Sequence, residues 1–312
     1  MIIHKLLVIA AILSLGAGCM AHHAGPMPGE PEAATYLKVE GARVRYLDTG
    51  TPEDTRPAVV MLHGFASALE NWIGVIPALK GDYRILALDL KGFGWTDRPE
   101  GDYSPQAQAK LVESLMEQRG IKSAAIIAHS WGSSVALALA LDAPERVERI
   151  ALYDAWVYEE QLPTFFLWAR AGSLGETLFW LFYKEQPDVK MSMAFYDQRY
   201  VTQGLVDEVE RAMERPGTSA AALAAVRGQR YALVQDRYRT INKPVLLLWG
   251  REDVVTPVWV GERLLRELPD ARLVVYPGCG HFPMIEALAA SNRDLKAFLG
   301  AAQARPAAEV SP

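Results

Sequence analysis

Residues 125–134 read Ala-Ile-Ile-Ala-His-Ser-Trp-Gly-Ser-Ser, a strand, a sharp turn carrying one serine, and a helix. Ala125 to Ala128 form an apolar stretch with the length and composition of a buried strand, and residues 132–142 read as a helix. Ser130 lies between them. A serine on a sharp strand-to-helix turn is held out at the edge of a sheet, where a base can reach its hydroxyl. The usual pattern is G-x-S-x-G; here Ala128 stands at the first glycine and Gly132 at the last. Alanine is the mildest replacement at a site of close strand–helix packing.

Such a serine means something only if partners follow in order. Residues 244–249 form an apolar strand followed by Gly250-Arg-Glu-Asp253, and residues 273–276 a second, followed by Pro277-Gly-Cys-Gly-His281. The order is serine, acid, histidine. Upstream, residues 58–62 form a strand ending in His63-Gly64-Phe65. The N–H groups of Phe65 and Trp131 are placed to face the oxygen of a tetrahedral intermediate. A serine hydroxyl needs an adjacent base. Of the six histidines, His4, His22 and His23 are N-terminal, His63 belongs to the oxyanion turn, and His129, next to Ser130, points away from it as packing or pocket wall. His281 remains as the base. Asp253 is the expected acid, with Asp154, after the strand 149–153, the alternative; Glu252 points elsewhere and Asp89 binds backbone N–H groups. Glu286 is expected to pair within the last helix or with an arginine, and Cys279 to fill space.

Five segments together resemble the alpha/beta-hydrolase superfamily, in its esterase- and lipase-like group with a helical cap: HGF at 63–65, DLKGFGWTDRP at 89–99, AHSWG at 128–132, GREDVVTP at 250–257 and GHFPMIE at 280–286. The resemblance runs from about residue 36 to about residue 299. It implies an α/β fold, a mostly parallel central sheet flanked by helices with an inserted cap. It also implies a serine hydrolase that cleaves acyl or lipid-like carboxylic esters through an acyl-enzyme, with Ser130, His281 and Asp253 as triad, Phe65 and Trp131 as oxyanion hole, His63, Gly64, His129 and Gly132 in support, and no metal or cofactor. Relatives that form an alkyl-enzyme carry aspartate in place of Ser130. Other chemistries sharing the triad are a perhydrolase, a C–C hydrolase, an acyltransferase and an aminopeptidase. A non-catalytic envelope binding protein is the alternative of another class.

The remainder of the chain fits this frame. Its 312 residues, half of them apolar, suit one large α/β domain. A net charge of −5 without a basic block argues against nucleic-acid partners, and two cysteines offer no metal-site spacing. Strands alternate with helices from 36 to 153 and again from 244, so the expected core is 35–154 with 241–300. Residues 155–240 show helical, aromatic-rich runs and read as the cap. Most of these aromatics are expected to pack the cap down; Phe179 and Trp180 are expected to line an acyl pocket. The run 178–183 is apolar all round, so it is either buried or touches a membrane.

The N-terminus reads as a targeting segment. His4 and Lys5 precede an apolar run at 6–13, too short for a membrane span, and small residues lead to Cys19. Residues 1–18 resemble a lipoprotein signal, which implies lipidation of Cys19 and a membrane anchor in a bacterial cell envelope, on the outer membrane; plain cleavage near Ala21 would give a soluble exported protein. Residues 19–34 read as a linker and 301–312 as a disordered tail. A monomer acting on a small ester or lipid is expected.

Overall fold

The computed structural model describes residues 20–300. Eight strands form one sheet: β1 (Thr35–Val39), β2 (Ala42–Asp48), β3 (Ala58–Leu62), β4 (Arg84–Leu88), β5 (Ala124–His129), β6 (Val147–Tyr153), β7 (Val245–Gly250) and β8 (Ala271–Tyr276), in the order β1-β2-β4-β3-β5-β6-β7-β8. β1 pairs antiparallel with β2 and β2 antiparallel with β4, while every pair from β4 to β8 is parallel. The central strands β3, β4, β5 and β7 are buried along their whole length, as parallel strands covered on both faces must be.

Alternate residues of each strand feed different cores, because successive side chains point to opposite faces. Val60, Leu62, Ile126, Ala128, Leu247 and Trp249 enter one cluster; Val59, Met61, Ala125, Ile127, Leu246 and Leu248 enter the other. Helices cover both faces: α1 (Ile76–Leu79), α2 (Pro105–Gln118), α3 (Trp131–Asp142), and later α9 (Trp259–Glu267), α10 (Pro283–Glu286) and α11 (Leu288–Gly300). α10 and α11 are separated at Ala287, whose backbone (φ −114°, ψ 33°) is not helical.

Between β6 and β7 the described chain forms helices and no strand: α4 (Thr164–Ala169), α5 (Gly172–Phe182), α6 (Pro187–Ala194), α7 (Gln203–Glu214) and α8 (Thr218–Gly228), with short 3₁₀ turns. This inserted segment sits over the C-terminal edge of the sheet, where Ala194 O accepts the N–H of His281 at 2.7 Å.

Residues 20–34, expected as a free linker, are docked on the body. His23 and Arg98 exchange backbone hydrogen bonds of 2.9 and 2.7 Å, Gly25 N–H donates to Asp97, and Met27 is buried. The cause is Arg98, a buried cation in the 89–99 loop. It donates to the carbonyls of Gly94 and Thr96 and meets Met27 Sδ, so the segment completes its enclosure. Residues 1–19, with the expected signal and Cys19, and the tail 301–312 lie outside the described residues. No helix among the described residues is long and apolar enough to cross a membrane.

Candidate active site

Parallel strands place all their C-terminal ends on one edge, and in open α/β sheets that edge carries the ligand crevice. Here β3 delivers His63-Gly64-Phe65, β5 delivers Ser130, β6 delivers Asp154, β7 delivers Asp253 and β8 delivers His281.

Ser130 has φ +51° and ψ −123°, a strained backbone for a residue with a Cβ. The strain is held by its surroundings. Its N–H bonds Tyr153 O, and its carbonyl accepts from Ser133 and Trp156. Gly132 passes so close to β3 that a Cβ there would lie 2.4 Å from His63 O, which explains the glycine. Ala128, at the position where glycine is usual, is fully buried opposite Leu62 and Leu152, with room for its methyl.

The side chains meet in one chain of hydrogen bonds. Ser130 Oγ lies 2.9 Å from His281 Nε2, and His281 Nδ1 lies 2.7 Å from Asp253 Oδ2. All three residues are buried. Burial would raise the Asp253 carboxyl, but the charge and hydrogen bond of His281, with hydrogen bonds from Thr256, outweigh it and hold the group below its ordinary value. Thr256 was not singled out from the sequence. Its hydroxyl donates to Asp253 Oδ2 at 2.6 Å, and the N–H groups of Val255 and Thr256 donate to Oδ1. The available signal was an Asp followed three residues later by Thr, the spacing of a side-chain-to-backbone turn.

Asp154 does not reach the histidine's hydrogen bond. Its Oδ1 accepts from Gly250 N–H at 2.9 Å, its Oδ2 has no partner, and its φ is +43°. Burial, reinforced by the charge of Asp253, pushes its carboxyl well above the usual range. Asp154, Asp253 and His281 are the one cluster of possible metal donors among the described residues, with ligand atoms within 4.8 Å of one another. Within that cluster His281 Nδ1 and Asp253 Oδ2 already bond each other at 2.7 Å.

The other histidines have defined tasks. His63 is buried, donates from Nδ1 to Gly64 O and accepts Leu90 N–H at Nε2, which ties the β3 turn to the 89–99 loop. Desolvation lowers its pKa. His129 is more than a wall. Its Nε2–H donates to the carbonyl of His281 at 2.8 Å, fixing the histidine loop, and burial with the nearby His281 pushes its pKa well down. Asp89 accepts from the N–H groups of Leu69 and Trp95, as expected, and also pairs with Arg45. Glu286 departs from expectation: its two oxygens accept the N–H groups of Gly280 and Asp197, joining the histidine loop to the inserted helices. Glu252 accepts Cys279 N–H, and Cys279 is buried.

The N–H groups of Phe65 and Trp131 donate to no acceptor among the described residues. Trp131 opens α3, where first-turn N–H groups lack intrahelical partners. Gly64 holds the Phe65 turn against the serine; a Cβ on it would fall 3.0 Å from Ser130 Cβ. Beside these groups is a cavity of about 310 Å³, walled by Phe65, Trp156, Phe166, Met191, Met193 and Phe282. Phe179 and Trp180 are not part of it. Phe179 is fully buried, stacked on Phe165 and Tyr183, and Trp180, one residue round the helix, is half exposed. The expectation that these two line the acyl pocket is therefore corrected.

Comparison with known proteins agrees with this architecture. The family model described as alpha/beta hydrolase fold matches residues 57–288. A pimeloyl-[acyl-carrier protein] methyl ester esterase of Nitrosomonas europaea is 29% identical over 73% of this chain and 90% of its own. A 2-hydroxy-6-oxo-2,4-heptadienoate hydrolase of Pseudomonas putida is 28% identical over 78% of this chain and 89% of its own. The solved structure of a meta-cleavage product hydrolase from Pseudomonas fluorescens superposes with a TM-score of 0.73 at 28% identity, over 86% of this chain and 98% of that one. With the sheet order, the strained serine turn and this match to most of its length, the chain belongs to the alpha/beta hydrolase fold family.

Proposed function

We propose that the protein is a serine esterase that cleaves small acyl esters through an acyl-enzyme. The observation that carries this reading is the continuous hydrogen-bonded line from Ser130 Oγ through His281 to Asp253. His281 Nε2 takes the hydroxyl proton as Ser130 Oγ attacks the ester carbonyl. The Phe65 and Trp131 N–H groups receive the oxyanion. Asp253 keeps the Nδ1–H tautomer and stabilises the imidazolium. His281 then gives the proton to the leaving alkoxide, and the same residue deprotonates the water that releases the acid. The apolar cavity supports an acyl group as the part of the substrate held there, and its volume is at the low end of ligand sites, which start at roughly 300 Å³. Labelling by a fluorophosphonate at Ser130, together with hydrolysis of p-nitrophenyl esters of graded chain length, tests the reading. Absence of both would overturn it.

A second reading, hydrolysis of a C–C bond in an anionic oxo-dienoate, has one observation in its favour. Lys190 is the cationic side chain of the cavity wall, and the Pseudomonas putida relative is named for such a substrate. Turnover of a 2-hydroxy-6-oxo-dienoate that falls on Lys190→Met, with ester hydrolysis unchanged, would select it. An aminopeptidase is disfavoured, because no carboxylate lines the cavity to hold an amine; Glu159 pairs with Arg170 and Glu160 with Arg263.

A further inference from the structure

Nine of the fifteen exposed large apolar side chains among the described residues lie between positions 167 and 196, on α4, α5, α6 and the residue pair that follows. α5 shows the anomaly most plainly. Gly175 and Phe179, four apart, form its buried face, and Gly175 meets α4 so closely that a Cβ would lie 2.2 Å from Ala169 O. Leu174 and Leu181, seven apart, share the opposite face, where a helix on a water-soluble surface carries polar residues. They are 44% and 41% exposed, and Trp180 and Phe182 beside them 51% and 54%. The run 178–183, which read as either buried or membrane-touching, divides: Phe179 and Tyr183 are buried, while Trp180, Leu181 and Phe182 are exposed.

We propose that this outer face of α4–α6 docks on a lipid bilayer and feeds the cavity from it. Three observations choose a bilayer over a protein partner. Trp168 and Trp180 are exposed, and tryptophan, apolar in body with one N–H, is the side chain that settles at a lipid–water boundary. The chain enters the described structure at Met20, in a cleft lined by Gly172, Ser173 and Glu176 of α5, about one helix width, roughly 10 Å, from the exposed face. Residues 1–19, which include the apolar run 6–13, therefore join the body next to α5. Met193 belongs to both surfaces: it lines the cavity beside Ser130 and is 59% exposed, so the cavity opens at α6. The substrate class follows, and this part rests on the serine esterase reading: a single-chain amphiphilic ester dissolved in the bilayer, its acyl end entering past Met193 while its polar part stays at the interface.

The test uses the full chain with vesicles of phosphatidylethanolamine and phosphatidylglycerol. Hydrogen–deuterium exchange should slow on vesicle addition in residues 164–196 and not in α7 or α9. Changing Leu174, Leu181 and Phe182 together to serine should abolish that local protection and weaken vesicle partitioning about a hundredfold or more, since each apolar side chain of this size contributes on the order of tenfold. The variant should hydrolyse a soluble butyrate ester at the parent rate and a vesicle-dispersed monoacyl ester at least roughly tenfold slower. Should the triple variant fail to fold, Trp180→Ser alone should show a smaller loss in the same direction. Absence of protection in 164–196 overturns the proposal, whether the chain fails to bind vesicles or binds them through its N-terminus alone. Protection that depends on protein concentration without vesicles also overturns it, in favour of a second copy as partner. Local protection with no hydrolysis of either ester leaves docking standing and refutes the esterase reading.

Discussion

Replacing Asp154 with asparagine should stabilise the protein by an amount that grows with pH. Asp154 is fully buried, keeps one hydrogen bond from Gly250 N–H and has an unpartnered Oδ2, so burial and the charge of Asp253 raise its carboxyl well above the ordinary value. In the unfolded chain the same group titrates near its ordinary value of about 3.9. Between that value and its raised folded value, the native state holds one proton more than the unfolded state. Stability therefore falls as pH rises through this window, by about 1.4 kcal/mol per unit. Asparagine keeps the oxygen that accepts from Gly250 and carries an N–H₂ where the acid carries its O–H, but takes up no proton. The variant-minus-parent difference should then rise with pH above about 5, by at most about 1.4 kcal/mol per unit, until the folded carboxyl itself ionises. Urea unfolding of both proteins across that range, read as the difference in unfolding free energy, measures it. Other groups titrate alike in the two proteins and cancel. A difference that stays flat with pH would mean that Asp154 is ionised in the folded state, and the argument from burial would fail. Ester turnover should be kept within a few-fold; a severe loss, with Asp253→Asn mild, would move the acid role to Asp154.

Ser130→Ala and His281→Ala should each lower kcat by roughly four to six orders of magnitude, and Asp253→Asn by about four, with folding intact by circular dichroism. Thr256→Val removes a donor from a charged acceptor without changing volume; a loss of about 1.5–3 kcal/mol in unfolding free energy is expected, and an unchanged value would mean the hydroxyl bond does not hold Asp253. Phe166→Ala enlarges the cavity and should shift the preferred p-nitrophenyl ester toward longer acyl chains, whereas Phe179→Ala, which empties a buried site, should lower stability by about 3–5 kcal/mol with the chain-length preference retained. The reverse pattern would restore Phe179 to the pocket.

The local sequence was sufficient to bring Ser130, Asp253, His281 and the 63–65 turn to one edge. Each follows an apolar strand, and strands joined by helical crossovers run parallel, so whatever follows them gathers at the same end. The structure adds that the β3 turn lies against the serine, with Gly64 and Gly132 at the points of close approach. What tertiary structure alone decided was the direction of side chains on elements whose position no local rule sets. Phe179 and Trp180 are neighbours in sequence, yet one is buried and the other faces out, since successive helical residues point about 100° apart and only packing on α4 says which way is in. Asp154 and Asp253 follow equivalent strands; the hydrogen bond went to Asp253 because the Thr256 turn aims it at His281, while Asp154 turned into the β7 backbone. Residues 20–34 had the composition of a tether, and a buried Arg98 distant in the chain drew them onto the fold. Strand ends are set by periodicity that any short window contains. Side-chain partners are set by which distant groups arrive beside them, and no window of sequence contains that.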